Sequence, residues 1–351
     1  MAANESAVTM KVLAQHLGVS VATVSNAFSR PDQLSAQLRD DILAAADELG
    51  YLGPHAAGRA LRSGRNDVCG FLYGGELAHT LLDPYSVLFL AGLSESVEAA
   101  GASVLLIRGQ APDGSPGDAL RHAGIDALVA PSANAAGVDL TDLRRRGVRI
   151  VGTQQAAAGD WVGIDNVEAG RLIGRHLAGL GHREVVLLGA PASGRPVIAD
   201  YQPGRAVPGV PEGSYQADRL RGLWESLPGG SVRVVGSANG TREAGRAAAA
   251  VALAAEHRPS AVVALSDALA FGVCDAAQVC GLVPGRDLSV AGFDDIPDAA
   301  FVGLTTVRQP IREKGRLAGL LAMDPDLPER QLTLPVELVV RNSTAPADTV
   351  T

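Results

Sequence analysis

Apolar and small residues recur three or four positions apart through residues 8–49, the spacing of one face of an α-helix. The pattern predicts three short helices with the sequences MKVLAQHL, VATVSNAF and AQLRDDILAAADEL. Thr9, Ser20 and Ser35 precede these helices as candidate N-caps, because a side-chain oxygen there can accept a hydrogen bond from a first-turn amide. Gly18 follows the first helix, where a left-handed residue commonly ends the hydrogen-bonded turns.

From Val68 onward, short apolar runs alternate with helical stretches. Eight runs are typical of strands: DVCGFLYG, ASVLLIRG, DALVAPS, VRIVGTQ, EVVLLGA, SVRVVGS, AVVALSD and DLSVAGFDD. Helical patterns lie between many of them, at residues 85–100, 166–180, 243–256 and 268–280. Short apolar strands separated by helices indicate parallel sheets covered on both faces. We therefore expect an α/β body of two lobes, since eight strands over roughly 270 residues fit two sheets better than one.

Residues 189–216 interrupt this alternation. The segment GAPASGRPVIADYQPGRAVPGVPEGSYQ is rich in Pro and Gly. It is far longer than an ordinary connection of about six residues. Two interpretations remain open: an inserted surface loop, for which a lid is one role, and a disordered excursion.

The first two predicted helices have the spacing of a helix-turn-helix. In that motif a small residue faces the partner helix, the turn tolerates a left-handed backbone, and an apolar residue follows. Ala14, Gly18 and Val24 meet these three needs. The front of the second helix, which would enter a major groove, then carries Val21, Ala22, Thr23, Ser25 and Asn26. The alternative is a small helical bundle whose hydroxyl side chains are caps and solvated surface.

The segment GPHAAGRALRSG predicts a further short helix between the three helices and the body. Pro54 suits its first turn and Gly64 suits its end. A helix of about eight residues is too short to be stable alone in water, so we expect a partner to order it. Leu61, flanked by Arg59 and Arg62, is suited to insertion into a minor groove. The alternative is a linker helix that packs on its own body.

The charge balance neither demands nor excludes contact with DNA. The whole chain has a net charge of −8. The first 65 residues carry six basic and six acidic side chains, and the remainder carries 24 basic and 32 acidic ones. Any DNA contact must therefore depend on the arrangement of charges and not on their sum.

Several classes of site are not expected. Cys69, Cys274 and Cys280 are too few for a disulfide framework, and the chain has no HExxH or CxxC sequence that would predict a metal site. No G-x-G-x-x-G follows a strand and no G-x-S-x-G is present, so we expect neither a nucleotide cofactor nor catalysis. The start of the chain lacks the segments of a signal peptide, and no run of eighteen apolar residues occurs. These features predict a cytoplasmic protein without a membrane partner.

Five segments, in this order, resemble the lactose-repressor/galactose-repressor (LacI/GalR) family of bacterial transcription regulators: VLAQHLGVSVATVSNAF, LGYLGPHAAGRALRSG, GIDNVEAGRLIGRHLAGLGHREVVLLG, ALSDALAFGVCDAAQVCGLVPGRDLSVAGFDDI and LTTVRQP. The resemblance implies a homodimer that binds a pseudo-palindromic double-stranded operator and associates with the nucleoid. The expected DNA-binding residues are base-reading Val21, Ala22 and Asn26, backbone or flanking Ser20, Thr23 and Ser25, intercalating Leu61, and in addition Thr9 and Arg59.

The resemblance also implies a periplasmic-binding-protein fold with a small-molecule effector between the lobes. The expected domains are a headpiece at 1–53, a hinge at 54–66 and a core at 67–345, with lobes at about 67–180 plus 310–325 and about 181–309 plus 326–345. The implied ligand contacts are Tyr85, Asp165, Arg219, Ser266, Asp267, Asp294 and Gln309.

These ligand contacts have a chemical basis and an alternative. Carboxylates in a cleft accept hydrogen bonds from ligand hydroxyls and Arg219 can donate a bidentate pair, which suits polyols, sugars, nucleosides or small acids. The alternative is a capping role, because Asp165 and Asp267 both follow strands. The chain also departs from the family pattern: Gly240 falls near the place of a stacking aromatic, the connection from Asp294 to LTTV is short and lacks proline, and the Pro/Gly-rich segment precedes Arg219.

Together these expectations describe a transcription regulator, and specifically a repressor, whose operator affinity responds to a sugar or related polar metabolite. The second hypothesis is a solute-binding protein of the periplasmic sugar-binding type without a regulatory role. Such a protein should carry an export signal and no helix-turn-helix.

Overall fold

The computed structural model of the chain contains two units, Met1–Asp67 and Val68–Thr351. The structure describes residues 8–51, 53, 64–109, 119–130, 140–156, 158–191, 198–255 and 257–347. The predicted hinge helix, with Arg59 and Leu61, lies outside the described residues.

The first unit contains the three helices that the sequence predicts. Helix α1 spans Met10–Leu17, α2 spans Val21–Ser29 and α3 spans Ala36–Glu48, and a 3-10 turn covers Pro31–Gln33. The side chains of Thr9, Ser20 and Ser35 accept hydrogen bonds from first-turn amides, so these three predicted N-caps are confirmed. Gly18 ends α1 with a left-handed φ of 65°. The core of the unit consists of Leu13, Ala14, Val24, Ala27, Ile42, Ala45, Ala46 and Tyr51.

The second unit contains two sheets, and the first of them is parallel throughout. Its strands are β1 (Val68–Tyr73), β2 (Ser103–Arg108), β3 (Ala127–Ala130), β4 (Arg149–Gly152), β5 (Asp160–Ile164) and β12 (Gln331–Leu334). They lie in the order β12-β5-β4-β3-β1-β2.

The second sheet is parallel inside and antiparallel at both edges. Its strands are β6 (Glu184–Pro191), β7 (Ile198–Asp200), β8 (Ser231–Ser237), β9 (Ala261–Ala264), β10 (Ser289–Asp294), β11 (Thr305–Arg308) and β13 (Glu337–Val339). They lie in the order β13-β11-β10-β9-β6-β8-β7, and the edge strands β13 and β7 are the antiparallel ones. Strands β9 and β10 are buried along their whole length, as expected for a sheet covered on both faces.

Helices cover both sheets, and several pairs of them, including the two described next, approach so closely that glycine is required. The helices of this unit are α4 (Leu77–Leu82), α5 (Pro84–Ala99), α6 (Ala119–His122), α7 (Thr141–Arg145), α8 (Asn166–Gly179), α9 (Tyr215–Glu225), α10 (Arg242–Leu253), α11 (Asp267–Val279), α12 (Pro297–Phe301) and α13 (Ile311–Met323). A Cβ at Gly315 in α13 would overlap the carbonyl oxygen of Phe89 in α5. A Cβ at Gly222 in α9 would overlap the carbonyl oxygen of Val167 in α8. The backbones of each pair are therefore in direct contact.

All eight runs that predicted strands contain a strand in the structure. Five further strands, β5, β7, β11, β12 and β13, were not among the predictions. Three of them, β7, β12 and β13, lie at sheet edges and have no fully buried residue, so they lack the continuous apolar run of a strand buried on both faces.

Two elements lie on the other side of the predicted lobe boundary. Helix α8 was expected in the first lobe, but it packs against α9 and contacts β11 and β13 of the second. Strand β12 was expected in the second lobe, but it pairs with β5. The physical reason is tertiary fit, since the glycines of α8 match α9 and β12 completes an open sheet edge. The chain therefore crosses between lobes at residue 165, at 309–310 and at 335–336.

The described part of the Pro/Gly-rich segment packs on the second lobe. Strand β7 pairs with β8, and Val207 is buried. The Tyr201 ring meets the Trp224 ring edge-on, with 6.0 Å between their centroids. The described part is therefore an inserted surface segment and not a disordered excursion, because it adds one strand to the sheet edge; its role as a lid stays a prediction. No helix in the described part of the chain is long and apolar enough to span a bilayer.

Candidate functional site

Helix α2 presents its N-terminal residues on the surface of the first unit. Val21 is 44% exposed and Ala22 is also exposed, while Val24 lies in the core. The amide nitrogen of the Asn26 side chain donates to Gln33 Oε1 at 3.3 Å. A surface with one apolar side chain at the helix start and an amide further along the same helix can contact base edges in a major groove.

The hydroxyl residues of this unit make local hydrogen bonds. Ser20 Oγ accepts from the backbone amide of Thr23 at 3.0 Å and lies 2.8 Å from Thr23 Oγ1. Thr9 Oγ1 accepts from the amide of Val12 at 3.4 Å. Ser25 is half-buried on the same helix as Thr23. These are the contacts of the capping interpretation, and because Ser20 and Thr9 lie at helix starts, their amides and hydroxyls can also meet a phosphate.

In the second unit, Arg219 on α9 is buried and held by four groups. Its Nε donates to Asn166 Oδ1 at 3.0 Å, and a terminal nitrogen donates to the carbonyl oxygen of Leu265 at 2.8 Å. Its guanidinium carbon lies 4.2 Å from the centre of the Phe293 ring and 5.0 Å from that of Tyr215. Only 5% of the residue is exposed. The contact between α8 and α9 at Gly222 brings Asn166 within reach, so Arg219 is fixed before any ligand arrives.

Asp294 closes β10 in a strained backbone conformation. Its φ is 117°, a value that non-glycine residues rarely adopt and that is typical of functional turns. Gln309, at the second crossing between lobes, donates from Nε2 to Asp294 Oδ1 at 2.6 Å. Burial raises the pKa of Asp294 from 3.8 to about 7, and the charge of Arg219 opposes that shift.

The first lobe contributes a second cation, Lys314, near Arg219 and Asp294, and Tyr85 is its hydrogen-bond partner. Lys314 lies in the first turn of α13 and is buried. Its Nζ donates to the Tyr85 hydroxyl at 3.2 Å. Burial lowers the pKa of Lys314 from 10.5 to about 8, and the charge of Arg219 lowers it further while Asp294 opposes the shift. Asp83 caps α5 beside Tyr85 by accepting from the amides of Tyr85 and Ser86.

These groups from the two lobes form one electrostatic cluster. Burial raises the pKa of Tyr85, and the Asp294 carboxylate raises it further while Arg219 opposes the shift. Tyr215 behaves alike, with burial raising its pKa and Arg219 lowering it. Since Tyr85 belongs to the first lobe and Asp294 to the second, the cluster lies between the lobes.

A cavity of about 180 Å³ adjoins the cluster at the carboxyl ends of β1 and β4. Its lining includes apolar rings and a few polar groups, with Tyr85 shared between the cavity and the cluster. The lining residues are Phe71, Leu72, Tyr73, Gly74, Thr80, Tyr85, Ser86, Phe89 and Thr153. None of these lining residues is charged, and Tyr85 is the residue that joins the cavity to the charged cluster.

Three of the expected ligand contacts are engaged inside the protein. Asp165 caps α8 by accepting from the amide of Glu168 at 2.9 Å, and Ser266 caps α11. Asp267 is fully buried; its oxygens accept from Thr306 Oγ1 at 2.6 Å and from the amide of Ile296 at 2.9 Å. Burial and the Asp294 charge raise the pKa of Asp267. These contacts match the capping and turn alternative, and they position the strand ends that carry the other candidates.

Lys314, Asn166 and Tyr215 were not among the expected site residues. Lys314 had a detectable signal, because Ile311, Lys314, Gly315 and Ala318 occupy one face of a helix and the face is otherwise apolar. Asn166 and Tyr215 had none, since their roles depend on the contact between α8 and α9.

Known proteins resemble both units of the chain. Residues 9–53 match the family model described as bacterial regulatory proteins, lacI family. Residues 175–344 match the model of a periplasmic binding protein-like domain. An HTH-type transcriptional regulator of Mycolicibacterium smegmatis is 36% identical over 340 residues, which cover 90% of each chain.

Two solved structures share the fold over nearly the whole length. A LacI-family transcriptional regulator from Corynebacterium glutamicum has 26% identity and a TM-score of 0.65, covering 96% of this chain and 98% of that one. The lac repressor dimer bound to operator and the anti-inducer ONPF has 22% identity and a TM-score of 0.72, covering 97% and 100%. At 22% identity the likeness concerns the fold alone.

Proposed function

Because the chain belongs to the LacI family of bacterial transcription regulators, we propose that it is a homodimeric repressor whose operator affinity is set by a small polar effector between the lobes. The observation that carries the proposal is the cluster of Tyr85, Lys314, Arg219, Asp294 and Gln309. It draws on both lobes and adjoins a cavity.

The proposed reader of the operator is the first part of α2. Val21, Ala22 and Asn26 would contact base edges, and Ser20, Thr23, Ser25 and Thr9 would contact the backbone. Leu61 of the hinge would insert at the operator centre, as the resemblance implies, and Arg59 would contact the DNA beside it. The solved lac repressor dimer, which is bound to an operator, supports this arrangement by its shared fold.

The proposed coupling follows from where the candidate contacts lie. Tyr85 and Lys314 belong to the first lobe, and Arg219 and Asp294 to the second. A ligand that touches both lobes favours one angle between them, and it can shift the equilibrium only by its difference in affinity for the two states. In a dimer that angle sets the spacing of two hinge segments, and a coupling of about 1 to 3 kcal/mol is enough to change occupancy of an operator.

We propose that the protein regulates transcription and that it is neither a solute-binding protein for transport nor an enzyme. The relative named above is a transcriptional regulator, and it shares the region of the helix-turn-helix as well as the body. A solute-binding protein does not need a helix-turn-helix with exposed residues at the start of α2. We accordingly propose that the buried acid and base groups bind a ligand without a reaction, and that the protein acts in the cytoplasm, where its operator is.

The DNA-reading part of the proposal is tested with duplexes selected from a random library by the full-length protein. We expect an inverted-repeat site that competes strongly against random DNA. Val21→Asp should weaken binding to that site roughly 100-fold, because a carboxylate would face the phosphates and bases. Val251→Asp is the matched control, since Val251 is 38% exposed on α10 of the other unit. Absence of any preferred inverted repeat, or equal binding by both variants, would contradict the proposal.

The effector part is tested with Asp294→Asn in the same binding assay. The substitution keeps the shape of the side chain and its contact with Gln309, but it removes the charge. We expect unchanged operator affinity and loss of the response to whichever metabolite alters binding by the wild type. A variant that still responds at the same concentration would show that the effector binds elsewhere.

A further inference from the structure

Lys314 is a buried ammonium group with one neutral partner. Its Nζ donates to the Tyr85 hydroxyl at 3.2 Å, and no carboxylate of the described residues lies within 4.0 Å of it. An ammonium group has three protons to donate, so two are without an acceptor among the described residues. Only 5% of the residue is exposed, so bulk water does not compensate for them.

The helix that carries Lys314 holds it in the cleft. Gly315 lies against the backbone of Phe89 with no room for a Cβ, and Ile311 and Ala318 on the same face are buried. The first turn of α13 cannot rotate to carry the amine into solvent without separating α13 from α5. The amine is therefore presented to whatever enters the cleft.

The nearby carboxylates are engaged by other donors. Asp83 accepts from the amides of Tyr85 and Ser86 and from the Ser86 hydroxyl. Asp267 accepts from Thr306 and from the Ile296 amide. Asp294 accepts from Gln309 through one oxygen. The Lys314 charge thus has electrostatic neighbours but no direct ion pair within the described part of the chain.

The same cleft contains a buried acceptor that the described residues leave unused. Gln309 Oε1 is buried and has no hydrogen-bond partner among the described residues. A buried acceptor without a donor is unfavourable, and a ligand hydroxyl group would satisfy it. The cleft therefore suits a molecule that carries both a hydroxyl donor and an acidic acceptor.

We infer that Lys314 selects an effector with an acidic group, a carboxylate or a phosphate, attached to a hydroxylated carbon chain or ring. The inference rests on the proposed function, because it takes the cleft as the effector site. A charge-assisted hydrogen bond from Lys314 to the acid would replace its weak contact with Tyr85. The hydroxyl groups would donate to Asp294 and Gln309.

The test compares neutral sugars with their acids and phosphates on the full-length protein. The probes are ribose, ribonate and ribose 5-phosphate, and glucose, gluconate, glucuronate and glucose 6-phosphate, each at about 10 mM in a thermal-shift assay. We expect at least one acidic member to bind at least about tenfold more tightly than its neutral parent. Carboxylates and phosphates are separate arms, so the preferred acid is identified by the same experiment.

Two variants assign the preference to Lys314. Lys314→Met should weaken binding of the preferred acid at least about tenfold and leave the neutral parent within about threefold, and Lys314→Arg should keep the preference. The inference is overturned if neutral members bind as well as the acids, if Lys314→Met leaves the acid's affinity unchanged, or if no acid stabilises the wild type. Operator selection uses no ligand, so a preferred inverted repeat together with neutral effectors would leave the proposed function intact and remove only this inference.

Discussion

Each lobe places one cation in the cleft, Lys314 from the first lobe and Arg219 from the second, and in each the cation lies beside a close contact between two helices. In the first lobe, α5 and α13 touch at Gly315, and Lys314 stands next to the contact. In the second lobe, α8 and α9 touch at Gly222, and Arg219 lies one turn earlier on the same helix. In both pairs the close approach of two backbones determines where the charged side chain is.

The two cations differ in what surrounds them. Arg219 donates to a side-chain amide and a carbonyl oxygen and lies over two aromatic rings. Lys314 donates to the Tyr85 hydroxyl group, and its Nζ lies 5.9 Å from the centre of that one ring. The planar guanidinium suits a site that is complete without ligand, and the compact ammonium responds more readily to what is near it. The second lobe is therefore organised in advance, and the first lobe has a group whose environment a ligand would complete.

The largest effect should come from the glycines that both pairs share. Gly315→Ala and Gly222→Ala each place a Cβ on a backbone carbonyl oxygen, which cannot rotate away as a side chain could. We expect a loss of about 3 to 5 kcal/mol of unfolding free energy, above the usual cost of overpacking. Chemical denaturation measures it. Gly179→Ala in α8 is the control, because nothing lies within 4 Å of its Cβ position. Equal stability of all three variants would show that the helix pairs do not depend on glycine.

Next in size is the loss of Arg219. Arg219→Met removes the donors of Asn166 Oδ1 and of the Leu265 carbonyl while it keeps much of the side-chain volume. Since both acceptors are left buried without these partners, we expect a loss of about 2 to 4 kcal/mol, measured by chemical denaturation at pH 7. Arg221→Met is the control, because Arg221 is half exposed and pairs with Asp218 in the same helix. A change below about 1 kcal/mol for Arg219→Met would mean that its contacts do not organise the second lobe.

The sequence predicts the elements of this architecture better than their pairing. The three helices of the first unit agree with prediction to within a residue, because capping side chains and Gly18 mark their ends locally. Strands β12 and β13 were missed, and α8 was assigned to the wrong lobe. Those features depend on which distant segment pairs with a sheet edge or packs against a helix glycine. A local sequence pattern contains no information about such distant partners.

The site was predictable in part, for a similar reason. Arg219, Asp294 and Gln309 were expected from the family resemblance, and the structure brings them together. Asp267 and Asp165 were expected beside them, but their carboxylate oxygens accept hydrogen bonds from backbone amides of the protein. A carboxylate after a strand has the same local sequence whether it caps a helix or meets a ligand. Lys314 was detectable only as a charge on an apolar helix face.

Loss of the Lys314 charge should stabilise the protein, in contrast to loss of the Arg219 charge. Lys314→Met should raise the unfolding free energy at pH 7 by about 1 to 3 kcal/mol, because it removes the burial of a poorly paired ammonium group. The folded pKa is about 8 and the ordinary value is 10.5, so between these values the unfolded chain holds more protons. Wild-type stability should therefore rise with pH in that window, and the advantage of the variant should shrink.

Denaturation at pH 7, 8 and 9 of the wild type and the variant measures this difference. Raised pKa values at Tyr85 and Tyr215 act in the opposite direction at higher pH, but they are present in both proteins and largely cancel in the comparison. Destabilisation by Lys314→Met at pH 7 would mean that the ammonium group is well paired in the free protein, and the contrast between the lobes would be lost.

The smallest expected effect is the difference between two coupling energies, that of Lys314 with Tyr85 and that of Arg219 with Asn166. Tyr85→Phe removes the hydroxyl acceptor of Lys314 and should cost about 0.5 to 1.5 kcal/mol. A double-mutant cycle with Lys314→Met should then give a coupling below about 1 kcal/mol, since Tyr85→Phe keeps the ring near Nζ and removes a single hydrogen bond of 3.2 Å. The matching cycle of Asn166→Ala with Arg219→Met should give a larger coupling, because the guanidinium and the amide are both buried and share a 3.0 Å contact. Equal couplings in the two cycles would mean that both lobes are equally organised without ligand, whereas a ratio of two or more would assign the adaptable contact to the first lobe.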